Sequence, residues 1–212
     1  MIAQKIDKNL AQQSLNRPQV DGKTAHGYSF EDFIILALGF TEEDGSPYRD
    51  HRLGGSAKHT QPFDVPQEVV ERNPIIPEAY KLPWSIKAVE QGKSIGLGTA
   101  RFQYDPWAKN GIVQATAFYY KDGDKKLLDH LSIKAITPSP SFWGNLSRDF
   151  IFQNDPAYTK ARKNGTYNRT TFEQKIGEAN RNRTGKIAIR ALGRQGNLQA
   201  YMNYSDYYSL VA

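Results

Sequence analysis

The fold is decided by GIVQATAFYYK at residues 111–121 and KLLDHLSIKAIT at residues 126–137. Apolar and polar residues alternate in both segments, which is the pattern of β-strands with one buried face. Asp122-Gly123-Asp124 lies between them and is typical of the tight turn of a hairpin. The sequence therefore predicts a long β-hairpin over residues 111–137.

The clearest helix lies upstream at residues 28–40, with the sequence YSFEDFIILALGF. Ser29 is its predicted N-cap, because a serine hydroxyl can accept a hydrogen bond from the first turn. Residues 66–83 contain four prolines, which disfavour a regular central strand. The next segment, WSIKAV at residues 84–89, is strand-like and leads through a tight turn into residues 94–97.

The C-terminal third predicts one helix near residues 171–180 and a second hairpin at residues 186–204. Taken together, the elements indicate an α+β fold with a mixed sheet and the N-terminal helix first. We predict three stretches of one domain: a polar N-terminal arm at residues 1–27, a core at 28–143, and a basic segment with the C-terminal hairpin at 144–212.

The composition limits the class of protein. Hydrophobic residues make up 39% of the chain and aromatic residues 12%, which is enough for a sizeable core. The chain has no cysteine, so disulfide frameworks, thiolate zinc sites and cysteine nucleophiles are excluded. The N-terminus lacks the apolar stretch of a signal peptide, and no run approaches the roughly 18 apolar residues of a membrane span. We therefore expect a soluble, cytoplasmic protein that does not bind membranes.

Positive charge is concentrated in one stretch. Residues 148–194 hold 11 Lys/Arg and 4 Asp/Glu, whereas the rest of the chain holds 17 and 18. Such an excess suits a polyanion, because each phosphate that is neutralised releases condensed counterions. A solvated basic face without a ligand is an equally good interpretation of charge alone. Asn and Arg also read adenine and guanine edges. The predicted DNA contacts, in a segment that we interpret as a recognition loop, are Arg162, Lys163, Asn168, Arg169, Arg181 and Arg183.

A carboxylate and a lysine are predicted to meet on neighbouring strands. Asp64 closes the strand-like segment KHTQPFDV, and Ser85 and Lys87 project from one face of the next strand. Ile86 points the other way, into the core. Glu31, in the first turn of the N-terminal helix, could reach the same place. A phosphodiester nuclease needs such a set, with carboxylates for a hard cation and a further group to manage the attacking water.

These residues resemble the motif of the PD-(D/E)xK nuclease superfamily, which includes most restriction endonucleases and several repair and recombination nucleases. The resemblance lies in Pro62-Phe63-Asp64, a proline-interrupted spacer, and Ser85-Ile86-Lys87, within a core of about residues 28–136. It implies a restriction-endonuclease-like mixed β-sheet flanked by helices. It also implies that Asp64 ligates Mg²⁺, that Lys87 orients or deprotonates the attacking water, and that Glu31 is an auxiliary acid and second metal ligand.

Ser85 stands where the family normally has Asp or Glu. Because serine is a poor Mg²⁺ ligand, the missing charge would have to come from Glu31, Glu68 or Glu71. Three of the predicted site residues also have an ordinary interpretation. Lys87 can be an ordinary surface lysine, and Asp64 can simply terminate a strand. Glu31 can be explained by its favourable interaction with the positive end of the helix dipole.

The sequence leads us to expect a Mg²⁺-dependent endonuclease of the type II restriction kind, which cuts double-stranded DNA at specific sites. A homodimer is expected, because a symmetric pair is the simplest way to cut both strands. Two other functions stay open. The chain could be a non-catalytic nucleic-acid-binding protein whose basic stretch is its whole function, or a viral structural or assembly protein whose Tyr-rich strands build an interface.

Overall fold

The computed structural model describes residues 2, 6–16, 25–46, 48, 63–191 and 197–212, with only the backbone described for residues 25–29 and 156–158. The chain forms two compact units. The first unit comprises Met1–Lys93, Gly111–Ile136 and Tyr208–Ala212, and the second comprises Ser94–Asn110 and Thr137–Tyr207. Each unit is thus assembled from separate stretches of sequence.

Each unit contains one three-stranded sheet with helices beside it, which confirms the α+β class. Within the described ranges, the helices are α1 Lys8–Leu15, α2 Ala25–Ala37, α3 Gln67–Arg72, α4 Ala100–Asp105, α5 Arg148–Lys163, α6 Arg169–Arg181 and α7 Tyr204–Val211. The strands are β1 Trp84–Glu90, β2 Ile95–Thr99, β3 Ile112–Asp122, β4 Lys125–Ile136, β5 Ile187–Ala191 and β6 Leu198–Met202. Short 3-10 helices span Glu78–Tyr80 and Pro140–Phe142, and a π-helix spans Pro106–Asn110.

The sheet of the first unit has the order β1-β3-β4. Strand β1 runs parallel to β3, and β3 pairs antiparallel with β4, so the sheet is mixed as predicted. The predicted hairpin at residues 111–137 is confirmed as β3 and β4. Gly123 in its turn has φ +59, a left-handed conformation that glycine adopts at little cost.

One face of this sheet forms the core of the first unit. Ile86 on β1 and Ala115 and Ile133 on the hairpin belong to one buried cluster with Phe30 and Ile34 of α2. Full burial of a large apolar side chain contributes about 1.5–3 kcal/mol, and this is why α2 covers the Ile86 face. Since side chains alternate along a strand, Ser85 and Lys87 project from the opposite face.

Helix α1 covers the outer edge of strand β4. The side chain of Asn16 accepts a hydrogen bond from the Lys126 backbone N–H at 2.8 Å and donates one to the Lys126 carbonyl at 2.7 Å. Gln12 Oε1 accepts a hydrogen bond from the Leu128 N–H at 2.6 Å, and its Nε2 donates to the Lys126 carbonyl at 2.5 Å. These amide groups satisfy backbone groups that an open strand edge would leave unpaired.

The second unit is built around the antiparallel sheet β2-β6-β5. Buried Asp155 on α5 ties a helix to this sheet, since it accepts a hydrogen bond from Leu198 N–H at 2.6 Å. Its carboxylate also lies 3.4 Å from Nε of Arg101. Burial raises the pKa of the Asp155 carboxyl, and the Leu198 and Arg101 contacts oppose that rise.

Several local predictions are wrong. Helix α2 begins at Ala25, so Ser29 lies inside the helix and is not its N-cap. The predicted DNA contacts do not lie in one loop, because α5 ends at Lys163 and α6 spans Arg169–Arg181, and only α6 was expected, near residues 171–180.

A close approach of two glycines in the second unit gives a stability prediction. A Cβ at Gly185 would lie 2.4 Å from the Trp143 carbonyl carbon and 2.5 Å from the Phe142 carbonyl oxygen. We expect Gly185→Ala to lower the free energy of unfolding by about 1–3 kcal/mol, because backbone atoms must move to make room. Gly177→Ala is the matched control: the position is helical, its nearest neighbour would be 3.5 Å away, and alanine should add about 0.5–1 kcal/mol. Urea unfolding measures both. Equal midpoints for Gly185→Ala and the wild type would contradict the prediction.

Candidate active site

Asp64 is held beside strand β1 by backbone hydrogen bonds. The N–H groups of Asp64 and Val65 donate to the Trp84 carbonyl at 3.0 and 3.2 Å, and the Trp84 N–H donates to the Val65 carbonyl at 2.9 Å. Val65 and Trp84 form an isolated antiparallel bridge. The predicted strand is therefore reduced to a bend and one bridge here, and its residues 58–62, including Pro62, lie outside the described ranges.

The carboxylate of Asp64 and the ammonium of Lys87 form an ion pair. Asp64 Oδ2 lies 3.8 Å from Lys87 Nζ and accepts a hydrogen bond from the Ile86 N–H at 2.6 Å. The Asp64 side chain is 7% exposed, whereas that of Lys87 is 24% exposed. A charge-assisted bond to a backbone amide fixes the orientation of a buried carboxylate, so the pair is rigid on the Asp64 side and open to solvent at Lys87.

Ser85 is buried next to this pair, and two further polar residues flank it on strand β3. The parallel register places Gln114 beside Ser85 and Thr116 beside Lys87. Gln114 is 1% exposed and Thr116 0% exposed. Neither residue was among the predicted site residues. The alternation of GIVQATAFYYK could have identified them, because Gln114 and Thr116 are polar residues two apart on one face of a strand.

The polar face continues onto strand β4. Lys134 lies beside Gln114 and Ser132 beside Thr116 in the antiparallel register. Lys134 Nζ donates to the Ala212 carbonyl at 2.9 Å, and the Ser132 hydroxyl donates to the Val211 carbonyl. The C-terminal end of α7 is therefore hydrogen-bonded to polar side chains of β4. Ser85, Gln114 and Thr116 line the part of the same sheet face that lies on β1 and β3.

The predicted acids are distributed over two helices. Glu31 is half-buried on α2, directly after the core residue Phe30. Glu68 and Glu71 are exposed on α3, where Glu71 accepts a hydrogen bond from Gln67 at 2.7 Å. In the part of the chain that the structure describes, no three His, Asp or Glu residues are grouped so that they could hold a metal ion. The roles of Glu31, Glu68 and Glu71 stay predictions.

The predicted DNA-contacting residues lie at helix ends in the second unit. Arg162 and Lys163 are exposed in the last turn of α5, where cations also favour the helix dipole. Asn168 caps α6, since its side chain accepts from Thr171 N–H at 3.0 Å.

Three arginines of this set have contacts within their own segment. Arg169 pairs with Glu173 at 2.8 Å, and Arg181 lies 4.0 Å from Glu178. Arg183 donates to the Asn180 carbonyl at 3.0 Å. Glu173 and Glu178 therefore compensate the charge of two arginines locally, whereas the contact of Arg183 with a backbone carbonyl leaves its charge unchanged.

Comparison with known proteins adds no relative. No family model, no curated protein and no solved structure matches the chain. Over the described ranges, no helix is both long and apolar enough to span a bilayer. Function must therefore be argued from the site itself.

Proposed function

We propose that the protein is a Mg²⁺-dependent endonuclease that hydrolyses phosphodiester bonds of double-stranded DNA. The observation that carries the proposal is the Asp64–Lys87 pair, in which a buried carboxylate oriented by a backbone amide lies 3.8 Å from a partly exposed ammonium. A carboxylate and a cation at the open edge of a sheet are the groups that phosphodiester hydrolysis requires. The resemblance to PD-(D/E)xK nucleases supports the same assignment.

The Asp64 carboxylate is the type of ligand that Mg²⁺ prefers. Magnesium is often bound through only one or two carboxylates, with waters and substrate phosphates completing its shell. Asp64 supplies one carboxylate and the Ser85 hydroxyl lies on the adjacent strand, whereas Glu31, the predicted second acid, follows the core residue Phe30 on α2, the helix that covers the opposite face of the sheet. When bound, Mg²⁺ supplies positive charge that stabilises the developing negative charge and lowers the pKa of water.

Lys87 has two roles in the proposed reaction. Its ammonium neutralises charge on the phosphodiester and positions the attacking water, and the Asp64 carboxylate holds that ammonium in place. The water oxygen bonds to phosphorus, the bond from phosphorus to the leaving oxygen breaks, and the leaving oxygen is protonated. The buried Ser85, Gln114 and Thr116 keep bulk water away from the inner side of the pair, which strengthens its electrostatic effect.

Double-stranded DNA is the proposed substrate because of the exposed cations of α5 and α6. A homodimer is proposed with it, since two copies related by a twofold axis would place one site on each strand. The direct test is incubation of the full chain with supercoiled plasmid, with Mg²⁺ and with EDTA, beside the Asp64→Asn variant purified identically.

The outcomes of this test separate the candidate functions. Cleavage that needs Mg²⁺ and is lost in Asp64→Asn supports the endonuclease. Salt-sensitive DNA binding without cleavage would instead indicate a non-catalytic nucleic-acid-binding protein. Neither binding nor cleavage would indicate a structural or assembly role.

The basic helices give a prediction about affinity. If they contact phosphates, the logarithm of the binding constant should fall with the logarithm of salt concentration by about 0.9 per phosphate neutralised. The triple variant Lys163→Glu, Arg169→Glu and Arg181→Glu should flatten this slope by about 0.9 for each phosphate that is no longer neutralised. Fluorescence anisotropy with a labelled duplex at several salt concentrations measures the slope. Lys125→Glu, at the exposed first residue of β4, is the control. An unchanged slope in the triple variant would show that the cations of α5 and α6 face solvent and do not contact phosphates.

A further inference from the structure

A cavity of about 320 Å³ lies in the first unit, between the end of α1 and the turn of the β3–β4 hairpin. Its lining includes Leu15, Asn16, Tyr119, Lys121, Asp124 and Lys126. The volume is in the range of pockets that hold small ligands. The proposed DNA cleavage uses none of these residues.

Lys126 is the unusual residue of this cavity. It is 8% exposed, and its Nζ atom is buried without a hydrogen-bond partner among the residues that the structure describes. Its backbone N–H and carbonyl are both bound by Asn16, so the residue is held in place. Nζ lies 5.2 Å from the ring centroid of Tyr119, another residue of the lining. A buried ammonium normally has a carboxylate or carbonyl partner, because leaving it unpaired is costly.

The charged groups around Lys126 leave its ammonium unneutralised within the described part of the chain. Glu90 is already paired with Lys121, whose Nζ lies 3.1 Å from the Glu90 carboxylate. Burial, together with the positive charge of Lys121, lowers the pKa of the Lys126 ammonium to about 8, while Glu90 opposes the change. Burial and Glu90 raise the pKa of Tyr119, which keeps this phenol neutral. Asp124 lines the cavity at the turn and is the acid that an entering anion would meet.

We infer that this cavity binds a small oxyanion, a carboxylate or a phosphate group, through the Lys126 ammonium. An entering anion would supply the hydrogen-bond acceptor that Nζ lacks, and a charge-assisted bond in a partly dry cavity is stronger than one at the surface. Lys121 adds a second positive charge beside the cavity. The oxyanion can belong to a free small molecule or to the backbone of a nucleic acid, since both present the same oxygen atoms.

The test follows the Lys126 side chain by NMR of protein labelled with ¹³C and ¹⁵N at lysine. Its signal is assigned by its absence from the spectrum of Lys126→Met. Titration with inorganic phosphate at constant ionic strength, balanced with chloride, should be saturable. It should also raise the pKa of Lys126 by about 1–3 pH units, since a nearby opposite charge favours the ammonium. Parallel titrations with acetate and with a short DNA duplex distinguish the two sources of the oxyanion.

Two variants complete the experiment. Lys126→Met should abolish the saturable phosphate response of Lys121, the other labelled lysine of the cavity. Lys125→Met, at the exposed neighbouring position, should leave it intact. A Lys126 pKa that stays the same in saturating phosphate, acetate and duplex would overturn the inference. An equally weakened response in both variants would overturn it as well. Neither result depends on cleavage activity, so this site and the Asp64 site can fail separately.

Discussion

The rate of Mg²⁺-dependent DNA cleavage is expected to fall by about 10²–10⁴-fold in Lys87→Met, which is the usual contribution of a positioned proton-transfer or charge-stabilising group. Asp64→Asn should reduce the rate at least as much, because it removes the carboxylate that orients the ammonium and would hold the metal. Methionine keeps most of the apolar length of lysine. Asparagine keeps an oxygen that can accept the Ile86 N–H.

Both variants should stay folded and bind DNA. The cleavage rate is measured on plasmid under single-turnover conditions, and binding is measured separately in Ca²⁺ or without metal. If the two side chains act as one unit, the double variant should be hardly slower than either single variant. Lys93→Met, at an exposed position after β1, is the control for the removal of a nearby positive charge. Wild-type cleavage by either Asp64→Asn or Lys87→Met would remove that residue from the site.

The same cleavage assay tests which residue supplies the second carboxylate of the proposed metal site. Glu31→Gln should reduce the rate if the half-buried helix residue completes the charge of the site. A normal rate in Glu31→Gln together with a reduced rate in Glu68→Gln or Glu71→Gln would move this role to α3. Normal rates in all three variants would leave Asp64 as the single acid, with substrate phosphates supplying the remaining charge.

Local patterns predicted much of the first unit. The alternation at residues 111–137 and in WSIKAV is a property of neighbouring residues, and the structure confirms both as strands β3, β4 and β1. The pairing of Asp64 with Lys87 was also predicted, because two strand-like segments separated by a proline-rich connection were expected to be adjacent. Alternation places Gln114 and Thr116 on one face of β3, but their location beside Ser85 and Lys87 was not predicted. It depends on the parallel register of β1 and β3, which is set by packing across a long crossover and not by local sequence.

The second unit was less predictable. Helix α5 contains Pro156 in its interior, and proline argues against a helix when the sequence is taken alone. Its fold is supported by a distant contact, the hydrogen bond from Leu198 N–H to Asp155. Strand β2 likewise finds its partner β6 about a hundred residues later. Such contacts between residues distant in sequence outweigh the local secondary-structure propensity of a segment, and they leave no periodic pattern in the sequence.

The largest effect on stability is expected at Trp84, the first residue of β1. Its side chain is fully buried, packs edge-on against Phe40 with ring centroids 5.3 Å apart, and donates from Nε1 to the Tyr80 carbonyl at 3.0 Å. Trp84→Ala should lower the free energy of unfolding by about 3–5 kcal/mol, because it leaves a large cavity in the core. That is a considerable part of the roughly 5–15 kcal/mol that stabilises a domain.

Trp84→Phe distinguishes the contribution of the aromatic packing from that of the hydrogen bond. It retains most of the apolar packing against Phe40 but lacks the N–H donor to Tyr80, so it should cost clearly less than alanine. Urea unfolding followed by far-UV circular dichroism measures both variants. Asp64 is held by the backbone of Trp84 and not by its side chain. At a low temperature where Trp84→Ala is still folded, its single-turnover cleavage rate should therefore stay within a few fold of the wild type. Loss of cleavage in folded Trp84→Ala would show instead that the Trp84 side chain belongs to the chemistry of the site.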